Sequence, residues 1–270
     1  MTLAGRRVAV SLPDTVLEEK ESPRDKTVKL GLIARACAIY GVDVIEVFPG
    51  GEGGDWMTIK KVLEYLETPQ YLRRKLFPID DTLKFAGVLP PLRIPSHKPL
   101  VEVGQVKAGE FREGVVDPDG AVDVGLGERV RVKGKAPVRG RVTVKFTSGK
   151  PLEGELVAKE AVSEYWGYAV RRRSAEEILS DRGFGLTIAT SKFGDSFRQK
   201  TPELQSRLKE VRGVRLVFGS PSRGLFDTLG RDLRGRVGMV LNLFPEQRVE
   251  TVRSEEAMFA GLALLNVISA

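Results

Sequence analysis

The 270-residue chain has a single cysteine and a single histidine. Cys37 alone makes no internal disulfide, and with only His97 beside it the chain holds too few soft ligands for a zinc site and argues against a Ser-His triad. No metal is expected. Long apolar runs are missing too. None is of bilayer-spanning length and Met1 to Arg7 has none of signal-peptide length, so a cytoplasmic protein without a membrane partner is expected. The glycine-rich Gly50-Gly51-Glu52-Gly53-Gly54 lacks a following Lys-Ser/Thr and carries an acidic residue, which speaks against a phosphate cradle. No Gly-x-Gly-x-x-Gly turn follows the opening strand, which sets a nucleotide-dependent dehydrogenase far behind.

What is present is 41% hydrophobic composition, enough for a sizeable core, and a formal net charge of +7 that favours a polyanionic partner. The excess has a direction. Arg129 to Lys150 contains Arg131, Lys133, Lys135, Arg139, Arg141 and Lys145 with no acidic residue between its ends. Residues 98–164 as a whole are nearly balanced, 12 Lys+Arg against 11 Asp+Glu. The basic residues therefore form a patch, read either as an RNA contact or as the solvated face of a small barrel.

Arg7 to Leu12 reads as a strand ended by Pro13. A helix follows with apolar positions at Val28, Leu30, Ile33, Ala34, Cys37 and Ala38, closed by Gly41, and Val42 to Phe48 reads as a second, parallel strand. Thr58 to Glu67 is expected to be helical, and Tyr71-Leu72-Arg73-Arg74-Lys75 sets an aromatic beside three cations, an RNA contact or a solvated helix face. Pro90-Pro91, Pro95 and Pro99 mark a boundary, after which short valine-rich strands separated by Gly, Pro and Asp run from Leu100 to about Glu164. Tyr165 to Val170 is expected to return as a strand, with a capping box of Ser174 and Glu177 opening a helix. A helix over Thr201 to Val211 is expected to carry Pro202 in its first turn. The α/β rhythm thus resumes after an interruption, predicting one discontinuous domain, 1–97 with 165–270, and an inserted barrel over 98–164.

In the last third, β-like runs Leu186 to Thr190, Val214 to Phe218 and Val237 to Leu243 empty into the loops Thr190 to Gly194, Gly219 to Gly224 and Phe244 to Arg248. Ligands of open α/β sheets bind outside the carboxyl ends of strands, so these loops are a candidate wall, mostly of backbone. The final helix, Ala257 to Ile268, is apolar on nearly every side and must be covered, by a second copy or as a central core helix.

Val217-Phe218-Gly219-Ser220-Pro221, Leu241-Asn242-Leu243-Phe244-Pro245 and Thr251-Val252-Arg253-Ser254-Glu255-Glu256-Ala257 carry a resemblance that extends over nearly the whole chain. Its front part is Ile33-Ala34-Arg35-Ala36-Cys37-Ala38-Ile39-Tyr40, Pro69-Gln70-Tyr71-Leu72-Arg73 and Gly87-Val88-Leu89-Pro90-Pro91-Leu92. The sequence resembles the SPOUT superfamily of trefoil-knot RNA methyltransferases, in the archaeal and eukaryotic branch with an OB-like insertion. The resemblance implies an α/β fold, a SPOUT-type parallel sheet with a C-terminal trefoil knot in about 186–270, plus an inserted OB-like barrel that binds RNA. It implies S-adenosylmethionine as cofactor, uridine N3 of ribosomal RNA as target and a homodimer through the knot and the C-terminal helix.

Carried over by position, the cofactor residues are Thr190, Ser191, Gly219, Ser220, Pro221, Gly224, Leu241, Asn242, Leu243, Val249 and Thr251, with Asn242 facing cofactor or partner subunit. Methyl transfer to an imide nitrogen needs orientation and a stabilised anion, making Arg24, Arg223 and Arg253 candidates, with Glu246 and Glu255 as bases or cofactor-side acceptors. Glu255 is also what a helix N-terminus favours electrostatically, and Arg24 fits an ordinary surface residue. Ribose 2′-oxygen or protein methylation would use the same wall, and a noncatalytic RNA-binding assembly factor would need only the barrel.

Overall fold

The computed structural model describes residues 3–18, 20–99 and 101–269. In chain order the elements begin with β1 (Arg7–Pro13), α1 (Pro23–Ile39), β2 (Val44–Phe48), α2 (Trp56–Glu67) and α3 (Gln70–Leu76). Then come β3 (Phe111–Val116), β4 (Val122–Asp123), β5 (Arg129–Lys133), β6 (Arg141–Gly149) and β7 (Leu152–Val157). The chain closes with β8 (Ala169–Arg172), α4 (Ala175–Ser180), β9 (Gly185–Ser196), α5 (Phe197–Glu210), β10 (Gly213–Val217), α6 (Leu225–Leu229), α7 (Leu233–Arg236), β11 (Met239–Asn242) and α8 (Ser254–Ile268). It divides into two compact units, Met1–Glu64 with Thr82–Pro90 and Tyr168–Ala270, and Tyr65–Asp81 with Pro91–Gly167.

The first unit is built on a six-stranded sheet in the order β11-β9-β10-β1-β2-β8, parallel at every pairing. Its middle strands are buried along their length, as a sheet covered on both faces requires. Local chemistry sets the helix ends. Ser22 caps α1 by accepting from the Asp25 amide, Pro23 sits in its first turn, and Gly41 takes the left-handed φ of 67° just past its end. Ser174 and Glu177 form the expected capping box of α4.

Across the sheet runs a buried charge network. Arg215 on β10 is fully buried; its Nε donates to Glu46 on β2 at 2.8 Å and its Nη2 to Asp181 at 2.6 Å. Ser11 Oγ of the intervening β1 donates to the same Glu46 carboxylate at 2.7 Å, and Arg173 bridges Glu46 and Asp181. The Phe184 ring lies 4.6 Å from the Arg215 guanidinium. Burial pushes the Asp181 pKa up, but the Arg173 hydrogen bond, the Gly183 amide and Arg215 outweigh it, holding the carboxyl below its ordinary range.

Three local expectations are corrected. The strand expected to stop at Thr190 continues to Ser196, because Asp195 and Ser196 pair with Leu241 and Asn242 after a register shift that leaves residues 190–194 opposite nothing on β11. Pro202 is inside α5 and not in its first turn, since the helix begins at the buried Phe197. The strand expected over Tyr165 to Val170 is Ala169–Arg172, because Gly167 at φ 97° breaks the extended run.

The second unit contains a closed five-stranded barrel, β3-β4-β5-β7-β6, antiparallel except between β5 and β7. Val116, Val122, Val124, Val130, Val144 and Phe146 are among the residues that fill it. Leu100, the expected start of these strands, lies outside the described residues; Val103–Gln105 is a 3-10 turn and the first strand begins at Phe111. Residues 65–81 cluster with this unit through polar anchors. Arg141 bridges Glu67 at 2.5 Å and Glu113 at 2.6 Å, Trp166 Nε1 and Thr143 Oγ1 both donate to Glu113, and Tyr71 donates to the Glu113 carbonyl at 3.0 Å.

Replacing Glu46 by Gln leaves the Arg215 charge short of its main counter-ion in a dry sheet. Chemical denaturation is expected to show a loss of about 3 kcal/mol, the cost of breaking one partner out of a buried ion pair, and an unchanged midpoint would contradict this role.

Candidate functional site: a cavity at the strand ends

A cavity of about 500 Å³ opens at the carboxyl ends of β10 and β11, beside residues 190–193, the stretch of β9 that has left the ladder with β11. That is the size of pocket that takes a nucleoside-sized ligand, in the place where open parallel sheets bind one. Its walls are the three expected loops and the start of α8. Of the residues assigned to the cofactor, Thr190, Ser191, Gly219, Ser220, Pro221, Gly224, Asn242, Leu243 and Thr251 line it. Leu241 does not, being buried on the sheet, and Val249 is 59% exposed away from the lining.

The loops are fixed to one another by short polar links. In the turn after β10, the Ser220 amide donates to the Arg223 carbonyl and the Arg223 amide to Ser220 Oγ, both at 3.1 Å. Ser254 Oγ, at the first turn of α8, donates to the Gly219 carbonyl at 3.0 Å, tying the last helix to this turn. A Cβ on Gly219 would sit 3.2 Å from the Arg223 carbonyl oxygen, so the turn leaves little room for a side chain. Thr190 Oγ1 donates to the Val217 carbonyl at 3.0 Å and joins the start of the β9 bulge to the end of β10.

Asn242 joins the other pair of loops: its Nδ2 donates to the Lys192 carbonyl at 3.0 Å and its Oδ1 accepts from the Phe244 amide at 2.9 Å. Both ends of its side-chain amide are therefore used within the wall itself. Gly194 is required where β9 passes β11, since a Cβ there would lie 2.5 Å from the Leu241 carbonyl carbon.

The charged candidates stand apart. None of Arg24, Arg223, Arg253, Glu246 and Glu255 lines the cavity. Arg24, Arg253 and Glu246 are exposed, and the Arg253 amide donates to Glu256 Oε2 at the start of α8. Glu255 is buried, and its Oε2 has no hydrogen-bond partner among the described residues. Arg223 extends over the glycine-rich loop, its Nη1 lying 2.5 Å from where a Gly51 Cβ would be. Residue-by-residue reading missed Phe193, Phe218 and Phe244, the cation Lys192, and the acids Asp227 and Glu250, all of which line the cavity. The aromatics sit in or beside the three loops already singled out, which was the available signal; Asp227 on α6 had none.

On the barrel, Arg131, Lys133, Lys135 and Arg139 are exposed. Arg141 is not a free cation, because Glu67 and Glu113 hold it: burial works against its charge and the two carboxylates more than compensate, raising its pKa. Lys145 faces Glu155 at 3.7 Å. Among the described residues no cluster of His, Cys, Asp and Glu could hold a metal ion, and no helix is long and apolar enough to cross a membrane.

Asn242→Ala removes the links to Lys192 and Phe244, and amide exchange at Phe244 is expected to quicken about tenfold, the loss of one hydrogen bond of roughly 1.4 kcal/mol. Exchange unchanged at that amide would show that the loops are held otherwise.

Comparison with known proteins gives this geometry a context. An uncharacterized protein of Haloarcula marismortui is 34% identical over 96% of this chain and 98% of its own length. The 28S rRNA (uridine-N(3))-methyltransferase of Homo sapiens is 32% identical over 96% of this chain and 77% of its own length, and that of Drosophila melanogaster is 30% identical over 96% and 61%. The sequence model of the family described as "Putative RNA methyltransferase" matches residues 7–265, and the chain, with its cavity at the ends of a parallel sheet, belongs to that family of RNA methyltransferases.

Proposed function

We propose that the chain transfers a methyl group from S-adenosylmethionine to N3 of a uridine in ribosomal RNA. The observation that carries this reading is the cavity of about 500 Å³ formed by the bulged residues 190–193 of β9 and the loops after β10 and β11. The relatives named 28S rRNA (uridine-N(3))-methyltransferase support the target.

The residues present suit the cofactor. Phe218, Leu243 and Val252 offer apolar surface to an adenine, Ser220 and Thr251 offer hydroxyls to a ribose, and Asp227 and Glu250 supply negative charge toward a sulfonium. When bound, the cofactor supplies an electrophilic methyl group. The protein's part is to orient uracil N3 in line with it, exclude water and accommodate the charge left when the N3 proton departs. Arg223, held over the Gly51 backbone beside the cavity turn, is placed to stabilise that imide anion. Asp227 and Glu250 are the acids on the cavity wall that can take the proton.

We place the knot in 186–270. In support, β11 lies at the sheet edge beside β9, yet α8 packs on α1 with Met258 Sδ 3.9 Å from Cys37 Sγ, and Ser254 reaches back to Gly219. A return of the chain across its own β10 loop is what the proposed knot entails. A homodimer is supported by the apolar residues α1 leaves on its surface, Val28, Leu32 and Ile39, which recur at helical spacing and call for a cover. The barrel is assigned as an OB-like RNA-binding domain, its footprint Arg131, Lys133, Lys135 and Arg139.

Two outcomes test the reading. Incubated with S-adenosylmethionine and ribosomal RNA, the chain is expected to yield 3-methyluridine by nucleoside mass spectrometry, and Gly219→Val is expected to abolish both product and calorimetric cofactor binding; a 2′-O-methyl product would overturn the target. Neutralising the four barrel cations is expected to flatten the salt dependence of single-stranded RNA binding by up to about 0.7 in slope per lost contact while sparing the cofactor, and an unchanged slope would remove this face from the footprint.

A further inference from the structure

A second cavity, of about 630 Å³, lies wholly in the barrel-containing unit. Gln70 and Tyr71, in the first turn of α3, form one side and the proline-bounded segment from Pro91 to Pro99 the other. Its lining combines an aromatic ring, an amide, an imidazole and two cations, Arg93 and Lys98.

The polar groups have defined states. His97 Nε2 lies 2.8 Å from the Glu67 carbonyl oxygen. A carbonyl only accepts, so Nε2 carries the proton. Burial, opposed by that bond, lowers the His97 pKa, which favours the neutral ring, whose Nδ1 keeps a lone pair able to accept from an N–H. Tyr71 spends its hydroxyl on the Glu113 carbonyl, and burial pushes its pKa up to about 12, so it meets the cavity as a neutral ring. The Arg112 guanidinium lies 5.2 Å from that ring's centroid and fixes it.

The cations are less committed. Arg93 is exposed and holds a left-handed φ of 54°, a conformation unusual for a residue other than glycine, asparagine or aspartate. Among the described residues Lys98 has a 3.9 Å approach to the exposed Glu164 and a 5.9 Å approach to the Trp166 ring, both weak.

We infer that this cavity binds one unpaired nucleotide of the RNA, its base against Tyr71 with an N–H donated to His97 Nδ1, and its flanking phosphates at Arg93 and Lys98. An aromatic face, a single acceptor and rim cations are the complement of a splayed-out base on a charged backbone, and a paired base would keep both its face and its N–H occupied. The inference rests on RNA being the substrate, and it adds a subsite that distinguishes single strands from duplex.

The test uses the full chain with fluorescent decauridylate and, separately, a self-complementary RNA duplex, with S-adenosylmethionine binding measured on the same samples. Asparagine tolerates the left-handed backbone, so Arg93→Asn combined with Lys98→Gln leaves the fold in place. The pair is expected to weaken decauridylate binding about tenfold and to reduce its salt slope by about 1.4, two single-strand phosphate contacts. His97→Gln is expected to weaken it about fivefold, a share of one stacked and hydrogen-bonded base, at an unchanged slope. Duplex and cofactor affinities should hold. Equal losses on duplex, unchanged decauridylate affinity, or a wild-type chain that takes up cofactor but no decauridylate would each overturn the subsite. Absence of cofactor binding in the wild type would instead strike the proposed function.

Discussion

The site depends on one constraint: β11 pairs with β9 at two registers separated by a jump. Met239 and Val240 match Ile188 and Ala189, while Leu241 and Asn242 match Asp195 and Ser196. The β9 residues between are pushed out of the ladder, and Thr190 to Phe193 become cavity wall. Gly194 permits the second register because no side chain fits against the Leu241 backbone, and Asn242 fixes it by binding Lys192 and Phe244 at once. Backbone pairing thus makes the cavity, and its polar links fasten the segments of its wall to one another.

Behind the cavity, the sheet is stiffened in an unusual way for its dry middle. Arg215 and Glu46 flank β1, and Ser11, Arg173 and Asp181 complete their hydrogen bonds. Such a network contributes little net stability compared with apolar packing, but breaking it is costly, so it specifies strand neighbours. It orders β10, β1 and β2, the strands whose ends carry the Gly219 turn and the glycine-rich loop that Arg223 crosses. Orientation at the site is in this sense a property of the sheet.

Much of this was legible in the sequence because it is periodic or punctuated. Gly41, the Ser174–Glu177 box and the alternating valines each have one physical reading, and the structure bears these out. The three loop-bearing runs located the cavity for the same reason. What escaped was decided by partners distant in the chain. Nothing near Arg141 signals that Glu67 and Glu113 will claim it, so it looked like its free neighbours Arg131 and Arg139. Nothing near Asn242 signals Lys192, and the bulged path of β9 cannot be seen without β11 beside it. Lining residues from α6, such as Asp227, enter only through tertiary packing.

The central claim is that the cavity between the β9 bulge and the ends of β10 and β11 is the methyl-donor site of an RNA methyltransferase. A crystal structure of the chain with S-adenosylhomocysteine tests it most directly. The account predicts the ligand between the Gly219–Gly224 turn and the Asn242–Val252 segment, its sulfur open toward Arg223. Density for the ligand elsewhere, with these loops unvisited, would contradict it.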